Sequence, residues 1–442
     1  MTRCLRLGWV VLITVGIVLA ILVGFVERRQ FLTFGLCSLT IYGCVALSHF
    51  LLQLYFALRA RAGQSPWQRR LRPLPARQTV RVVISTYRED PVLLRNCLLS
   101  VAAQGKAVDR VILCNDEIGD RQTEAVFQDV VRSVPLGTQR WEYRSNGTSG
   151  KRGAMYNGVW DAQGGERHFM AEEIVVFLDS DSVLTAAHSV SRLIEPFANS
   201  QVGCAVGEVL IHNRTRNALT WITNLGYWTA FNLERQAQSY CGAVSCVFGP
   251  FGAYRAAVVR RVIDRWRGQT FMGRPCDPGG DRHLTTCVLA EGYLSVCAAQ
   301  AAAQTEAPWR FSRFLIQQTR WSRSSLREFL ISIPHLGRSS VWRAYELCYQ
   351  VILPLLVLTN LGIIIDLAVT RDWRHLALWV AIIGFFGFLR SLYGAAATRR
   401  ASFVAFTLYG YLYTAFLLPL RLYALATVYR TDWAPRPARS LD

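Results

Sequence analysis

The sequence predicts an α/β domain with a mostly parallel sheet, inserted between membrane-spanning helices. Three observations carry this. Apolar residues gather at the two ends of the 442-residue chain, in runs long enough to cross a bilayer. The middle, about 70–335, alternates short β-branched runs with helical spacing of apolar residues, the pattern of strands joined by crossover helices. Each of those β-branched runs ends in a polar cluster, and ligands of parallel sheets collect at the carboxyl ends of the strands.

Taken in order, Trp9–Val26 is an uninterrupted apolar run, and Phe31–Leu58 is a second, with Glu27, Arg28 and Arg29 between them. No small-residue cleavage site follows the first run, which reads as an anchor and not a signal peptide. Arg69-Arg70-Leu71-Arg72, just past the second run, fits the positive-inside rule and places the middle domain in the cytoplasm, under the plasma (inner) membrane. Thr79–Ser85 reads as a buried strand, ending in the turn Thr86–Pro91. Val92–Gln104 is helical, Arg110–Cys114 a strand ending at Asn115-Asp116-Glu117, and Gln122–Val131 helical. Trp141–Arg144 is a strand, Ser145–Gly150 a loop, and Lys151–Trp160 a helix. Glu173–Leu178 is a buried strand ending at Asp179-Ser180-Asp181. After residue 340, Ala344–Val369, His375–Ala396 and Ser402–Val428 are further candidate spans.

The net charge is +19, carried almost wholly by Arg, with Lys only at 106 and 151. The charge is dispersed and no basic helix or nucleic-acid motif appears, so nucleic acid is not read as a partner. The twelve Cys form no C-x-x-C pair, and a cytoplasmic domain keeps them reduced. Asn146-Gly-Thr148 and Asn213-Arg-Thr215 match glycosylation sequons, which have no meaning on the cytoplasmic side.

The chemistry lies at the strand ends. Asp179 and Asp181, flanking Ser180 straight after a strand, suit a hard cation such as Mg²⁺ or Mn²⁺, which would neutralise a diphosphate leaving group. Gly150-Lys151-Arg152-Gly153 opens a helix and offers backbone N–H groups and two cations to an anion. Asp281 precedes a helical stretch, Leu284–Ala290, and is its N-cap, a general base aimed into the cleft, or both. Ser245–Arg255 is rich in Gly and aromatics, and either lines an acceptor-sugar site or packs as a core turn. Gln317, Arg320 and Trp321 fall at i, i+3 and i+4, on one helix face. Amide, guanidinium and indole together suit a sugar phosphate.

In this order the clusters resemble the membrane-bound processive family 2 glycosyltransferases, which include cellulose, chitin and hyaluronan synthases. The nearest resemblance is to hyaluronan synthases of the vertebrate and viral type. It rests on Tyr87–Pro91 with Leu94–Leu98, Gly150–Arg152 with Met155-Tyr156, Tyr227–Tyr240, Val244–Arg255, Gly280–Thr285, Gln317–Ser324 and Leu417–Trp433, and covers about 80–433. The resemblance implies a GT-A catalytic domain that uses UDP-sugars and inverts the anomeric carbon. It implies that Asp181 holds the metal with Asp179 beside it on the nucleotide. Tyr87, Glu89 and Asp116 would face the uridine, and Lys151, Arg152, Gln317 and Arg320 would grip the diphosphate. Asp281 would be the base. Trp321, Cys246 and Arg255 would form the acceptor site. Donors would be UDP-GlcNAc and UDP-GlcA, and the nascent polysaccharide would leave through the bilayer. A single-donor, chitin-type synthase and a membrane scaffold with a decayed site are the competing readings.

The domain organisation implied is two transmembrane helices in 1–65, a catalytic domain in 70–308, amphipathic interface helices with the Gln-x-x-Arg-Trp motif in 309–340, and transmembrane or interfacial helices and a short tail in 341–442. Two departures from the family stand out. Gly280 occupies the position before the base, where the family carries an acid. The chain also stops at Asp442, soon after Trp433, with Pro419 breaking the last apolar run. Part of Phe403–Val428 is therefore expected to lie at the membrane interface or to re-enter, leaving the tail cytoplasmic near the active site.

Overall fold

The computed structural model describes residues 28–70, 78–145, 147, 150–163, 166–334 and 341–431. The expected first span, Trp9–Val26, lies outside the described residues, as do Asn146, Thr148, Trp433 and the last residues of the tail. The second apolar run lies within one helix, α1 (Arg28–Arg61).

The middle of the chain then alternates. β1 (Val80–Thr86), α2 (Pro91–Ala102), β2 (Arg110–Asn115), α3 (Arg121–Ser133), β3 (Arg140–Ser145) and α4 (Gly150–Gly158) follow one another. The helix expected over Lys151–Trp160 stops at Gly158. Trp160 instead opens β4 (Trp160–Gln163), which pairs antiparallel with β5 (Glu166–Phe169) outside the main sheet. β6 (Ile174–Asp179), β7 (Val183–Leu184), α5 (Ser189–Ile194) and β8 (Val202–Ile211) lead to α6 (Ala218–Thr229) and α7 (Gln236–Tyr240), joined by a π-type turn over Ala230–Arg235. Next come β9 (Gly252–Arg255), α8 (Ala256–Arg267), the short pair β10 (Thr270–Phe271) and β11 (Arg274–Pro275), α9 (Gly280–Ala290), β12 (Leu294–Thr305) and α10 (Phe311–Ser332). α11 (Val341–Val369) and α12 (Trp373–Thr398) follow.

The main sheet runs β3-β2-β1-β6-β9-β8-β12-β7. β3, β2, β1 and β6 are mutually parallel; β9 is antiparallel to both of its neighbours, and β8 and β12 are parallel. Val82 and Ile84 pack on one face with Leu94, Leu98, Leu113 and Leu178. Val83 packs on the other with Ile112, Val175, Phe177 and Trp266. Burial on both faces explains why these strands read as continuous apolar runs without alternation. β9 was not expected. It is the end of the Gly-rich stretch Ser245–Arg255, so that stretch is a loop feeding a central strand.

Four helical segments among the described residues are long and apolar enough to cross a membrane: Thr40–Arg61, Val341–Val369, Trp373–Thr398 and Ala401–Ala426. The last is irregular, passing from 3₁₀ through α to a π-type turn at Tyr413–Leu417, directly before Pro419. A proline removes one helical hydrogen bond, and widening the preceding turn accommodates its ring. One end of this segment touches α6 and the other touches α10. Phe403 meets Trp228 edge-on with ring centroids 4.8 Å apart. At the far end Arg323 of α10 donates to Thr427 Oγ1 at 2.9 Å. The residues after it also lie against α10, where Arg327 donates to the carbonyls of Val428 and Arg430.

Candidate active site

β1, β2 and β6 end in register: Thr86 lies beside Asn115, and Ser85 beside Asp179. The polar residues that follow these strands therefore share one rim. After β1, Asp90 caps α2 by accepting from Val92 N at 2.8 Å and Leu93 N at 3.2 Å. Glu89 is thereby turned toward β6, and its Oε2 accepts from Ser180 Oγ at 2.8 Å. Asp116 is buried at the end of β2, with its backbone N–H on Thr86 O. Arg88, which has a positive φ of 49°, packs over the Tyr87 ring and pairs with Glu117. Tyr87, Glu89 and Asp116 thus come together at the rim.

A cleft of about 470 Å³ opens beside this rim. Lys151, Asp179, Asp181, Cys246, Asp281, Gln317, Arg320 and Trp321 all line it. Its size is that of a small-ligand site. Lys151, in the first turn of α4, donates to Asp179 Oδ1 at 2.5 Å. Burial pulls the lysine pKa down, but Asp179, Asp281 and Asp181 outweigh it and hold the ammonium above its usual range.

Gly249 marks where the groups meet. A Cβ there would lie 2.7 Å from Lys151 Nζ, 2.9 Å from Asp179 Oδ1 and 2.9 Å from Asp281 Oδ2. Lysine and two carboxylates from three separate elements therefore converge on one backbone position, and only a glycine leaves that space open. The Gly249 N–H also donates to Asp281 Oδ2 at 3.0 Å.

Backbone geometry removes the capping role from Asp281. The N-cap of α9 is Gly279, at a φ of 88° that favours glycine. Asp281 sits inside the first turn, so its carboxylate is not used for capping and faces the cleft. α10 packs tightly on this turn: a Cβ at Gly279 would lie 1.8 Å from Ser324 Oγ. Arg327 donates to Pro278 O at 3.3 Å, and Glu328 accepts from His283 Nδ1 at 3.1 Å. One helix thus supplies Gln317, Arg320 and Trp321 and also grips the Asp281 segment on both sides. Trp321 stands near Tyr227, ring centroids 6.4 Å apart.

Two expected site residues are employed otherwise. Arg255, at the end of β9, donates to the carbonyls of Phe197, Asn199 and Val202, packs over Phe197, and is not part of the cleft lining. Arg152 lines the cleft, but its guanidinium is directed behind it, to Trp266 O at 2.8 Å and Gln269 Oε1 at 2.6 Å. Cys246 lies in the lining; burial pushes its thiol up to about 11 against the pull of Arg282 and Arg235, so it stays neutral. Sequence reasoning missed Asp277, Phe231 and Tyr409, the last from the apolar C-terminal segment; all three line the cleft. The motif spacing carries no signal for them.

Gly280 has a structural setting. A Cβ there would approach Arg152 Nε to 3.0 Å. That nitrogen is buried without a hydrogen-bond partner, and the Asp277 carboxylate lies 4.0 Å away. An acid at position 280 would face Arg152 as much as Asp281.

Asp179 and Asp181 fit a hard cation by donor type, with oxygen ligands one residue apart at a strand end. Among the described residues no group of three or more His, Cys, Asp or Glu forms a ready-made cage. A metal here would complete its shell with water and substrate oxygens, as Mg²⁺ commonly does.

Comparison with known proteins adds to this geometry. Residues 75–324 match the family described as "Glycosyltransferase like family 2". Hyaluronan synthase 3 of Homo sapiens is 29% identical over 98% of this chain and 84% of its own length. Hyaluronan synthase 3 of Mus musculus is 30% identical over 92% and 77%, and hyaluronan synthase 2 of Gallus gallus 30% over 97% and 82%. Among solved structures, a mannosyltransferase from Pyrobaculum calidifontis in complex with GDP-Man and Mn²⁺ superposes with a TM-score of 0.54 at 18% identity, covering 85% of this chain and 99% of that one. That likeness is one of fold.

Proposed function

The chain belongs to the family 2 glycosyltransferases, among the hyaluronan synthases, and from that premise we propose that it polymerises hyaluronan processively from UDP-GlcNAc and UDP-GlcA. The observation that carries the mechanism is the meeting of Lys151, Asp179 and Asp281 around Gly249. Asp281 takes the proton from the acceptor hydroxyl as its oxygen attacks the anomeric carbon. The bond from that carbon to the diphosphate breaks on the opposite face, which inverts the configuration. Lys151, Arg320 and Gln317 receive the departing diphosphate; cations placed where charge develops favour the transition state over the ground state. Tyr87, Glu89 and Asp116 form the uridine end of the site, and Trp321 the platform for the acceptor sugar. Arg152 supports Lys151 from behind the cleft.

Asp181, with Asp179, would hold Mg²⁺ or Mn²⁺, which supplies charge neutralisation for the leaving diphosphate. The helices long enough to cross a bilayer make this an integral membrane protein. The Arg-rich stretch after α1 supports a cytoplasmic catalytic domain at the plasma (inner) membrane, so the polymer leaves through the bilayer. Incubation with each UDP-sugar, singly and together, tests the proposal.

A further inference from the structure

The cations at the site are not equivalent. Lys151 is paired with Asp179 and assigned to the diphosphate, Arg152 is bonded to Trp266 O and Gln269, and Arg255 to the carbonyls around Phe197. Arg282 differs. It follows Asp281 in the first turn of α9, is half-buried and lines the cleft. Among the described residues its guanidinium has no hydrogen bond and no ion pair.

Its surroundings are those of an anion site. Arg282 lies close enough to Cys246 and Arg235 to act on both electrostatically. Arg235 is buried, donates to Gln238 Oε1 at 2.7 Å and Ser245 Oγ at 3.0 Å, packs over the Phe248 ring, and keeps its Nε unpartnered. Two guanidiniums held near one another repel, and an anion between or before them relieves that repulsion. The neighbouring carboxylates are largely engaged. Glu328 accepts from His283 and from Gln269 Nε2, and Glu234 pairs with Arg390. Glu346, from α11, lines a small cavity that Arg282 and Arg343 also line.

Position decides which anion. Lys151 and Asp179 line the cleft alone, whereas Arg282 lines both the cleft and the small cavity, which it shares with Glu346, Leu347 and Gln350 of α11. α11 is one of the helices long enough to cross a bilayer. A polymer that leaves through the bilayer passes from the cleft toward those helices, so the cation next to α11 is the one placed to meet the acceptor end.

We propose that Arg282, backed by Arg235, reads the carboxylate of a uronate at the acceptor end of the growing chain. A guanidinium fork matches a carboxylate in two parallel hydrogen bonds, which gives orientation as well as attraction. This rests on the two-donor reading above. It makes Arg282 matter in one half of the cycle, when GlcNAc is added to a chain ending in GlcA. In the other half the acceptor end is GlcNAc and offers no carboxylate.

The test uses the full chain in membranes. Nascent chains are made with both donors, the donors are washed away, and single labelled UDP-sugars are added alternately. For Arg282→Gln the rate of GlcNAc addition should fall about tenfold or more, the loss expected for one charged hydrogen-bonded contact. GlcA addition should stay within about threefold, and Arg282→Lys should recover part of the GlcNAc step, since it keeps the charge but not the fork. UDP binding by the variant, read as a thermal shift, checks its fold. Equal slowing of both additions, or selective slowing of GlcA addition, would overturn the assignment. Failure of the unmodified chain to make any polymer from both donors would overturn the two-donor reading instead, and is distinguishable by that control.

Discussion

Lys151 and Asp179 are joined across the cleft by an ion pair of 2.5 Å, from the first turn of α4 to the end of β6. The lysine is one of only two in a chain that otherwise uses Arg. A compact ammonium fits between two carboxylates where a planar guanidinium does not. Lys151→Met should lower turnover by about 100-fold or more, in the range seen when a group stabilising transition-state charge is removed. UDP affinity should fall with it, and Lys151→Arg should rescue little. Calorimetric titration with UDP checks this; unchanged affinity would place Lys151 outside diphosphate binding.

Gly249→Ala tests whether the convergence is functional. The added methyl would press on Lys151, Asp179 and Asp281 together. Lysine and aspartate tips can move aside at small cost, so the melting temperature should change little while turnover drops by about tenfold or more, as misplaced groups lose rate steeply. Full activity in the alanine variant would show that these groups need not meet.

Asp281→Asn preserves shape and removes the base. Transfer should fall by about 10²–10⁴-fold, the usual contribution of a general base. UDP binding should persist, because Asp281 is held by Gly249 N–H and not by the nucleotide rim. Activity within about tenfold of the unmodified chain would remove Asp281 from the base role.

His283 and Glu328 give the fold a pH signature. Burial pulls the imidazole down, yet Cys287 and Glu328 outweigh it and push it up to about 9 from an ordinary 6.5. Burial likewise raises Glu328, but its hydrogen bond with His283 leaves it below the usual carboxylate range. A raised histidine stabilises fully below its unfolded value, and that contribution is lost as pH rises through the folded value. The Glu328 contribution is present above the carboxylate range and lost on acidification. The melting temperature of His283→Gln should therefore trail the unmodified chain most at pH about 6 and converge with it above about 9. A constant gap across that range would contradict the pair.

Much of this was legible in the sequence. The β-branched runs of β1, β2 and β6 announced a buried parallel sheet, and their polar ends announced the cleft. β9 was hidden because Gly252-Ala-Tyr-Arg255 carries neither a β-branched run nor alternation; its place is set by pairing with β6 and β8, far away in sequence. The roles of Arg152 and Arg255 were hidden for a related reason. A guanidinium on a strand or helix serves an anion or a backbone carbonyl equally well, and the carbonyls of Trp266 and Phe197 are brought near only by the fold. That Asp281 is not the cap turned on the backbone at Gly279, which spacing does not encode. The departure at Gly280 likewise became readable only once Arg152 Nε was seen behind it.

The central claim is that two different donors are consumed alternately into one polymer. Membranes carrying the full chain are incubated with UDP-GlcNAc alone, UDP-GlcA alone, and both, and the products are challenged with hyaluronidase and chitinase. The account expects polymer only when both donors are present, degraded by hyaluronidase and resistant to chitinase. A polymer made from UDP-GlcNAc alone and digested by chitinase would contradict it.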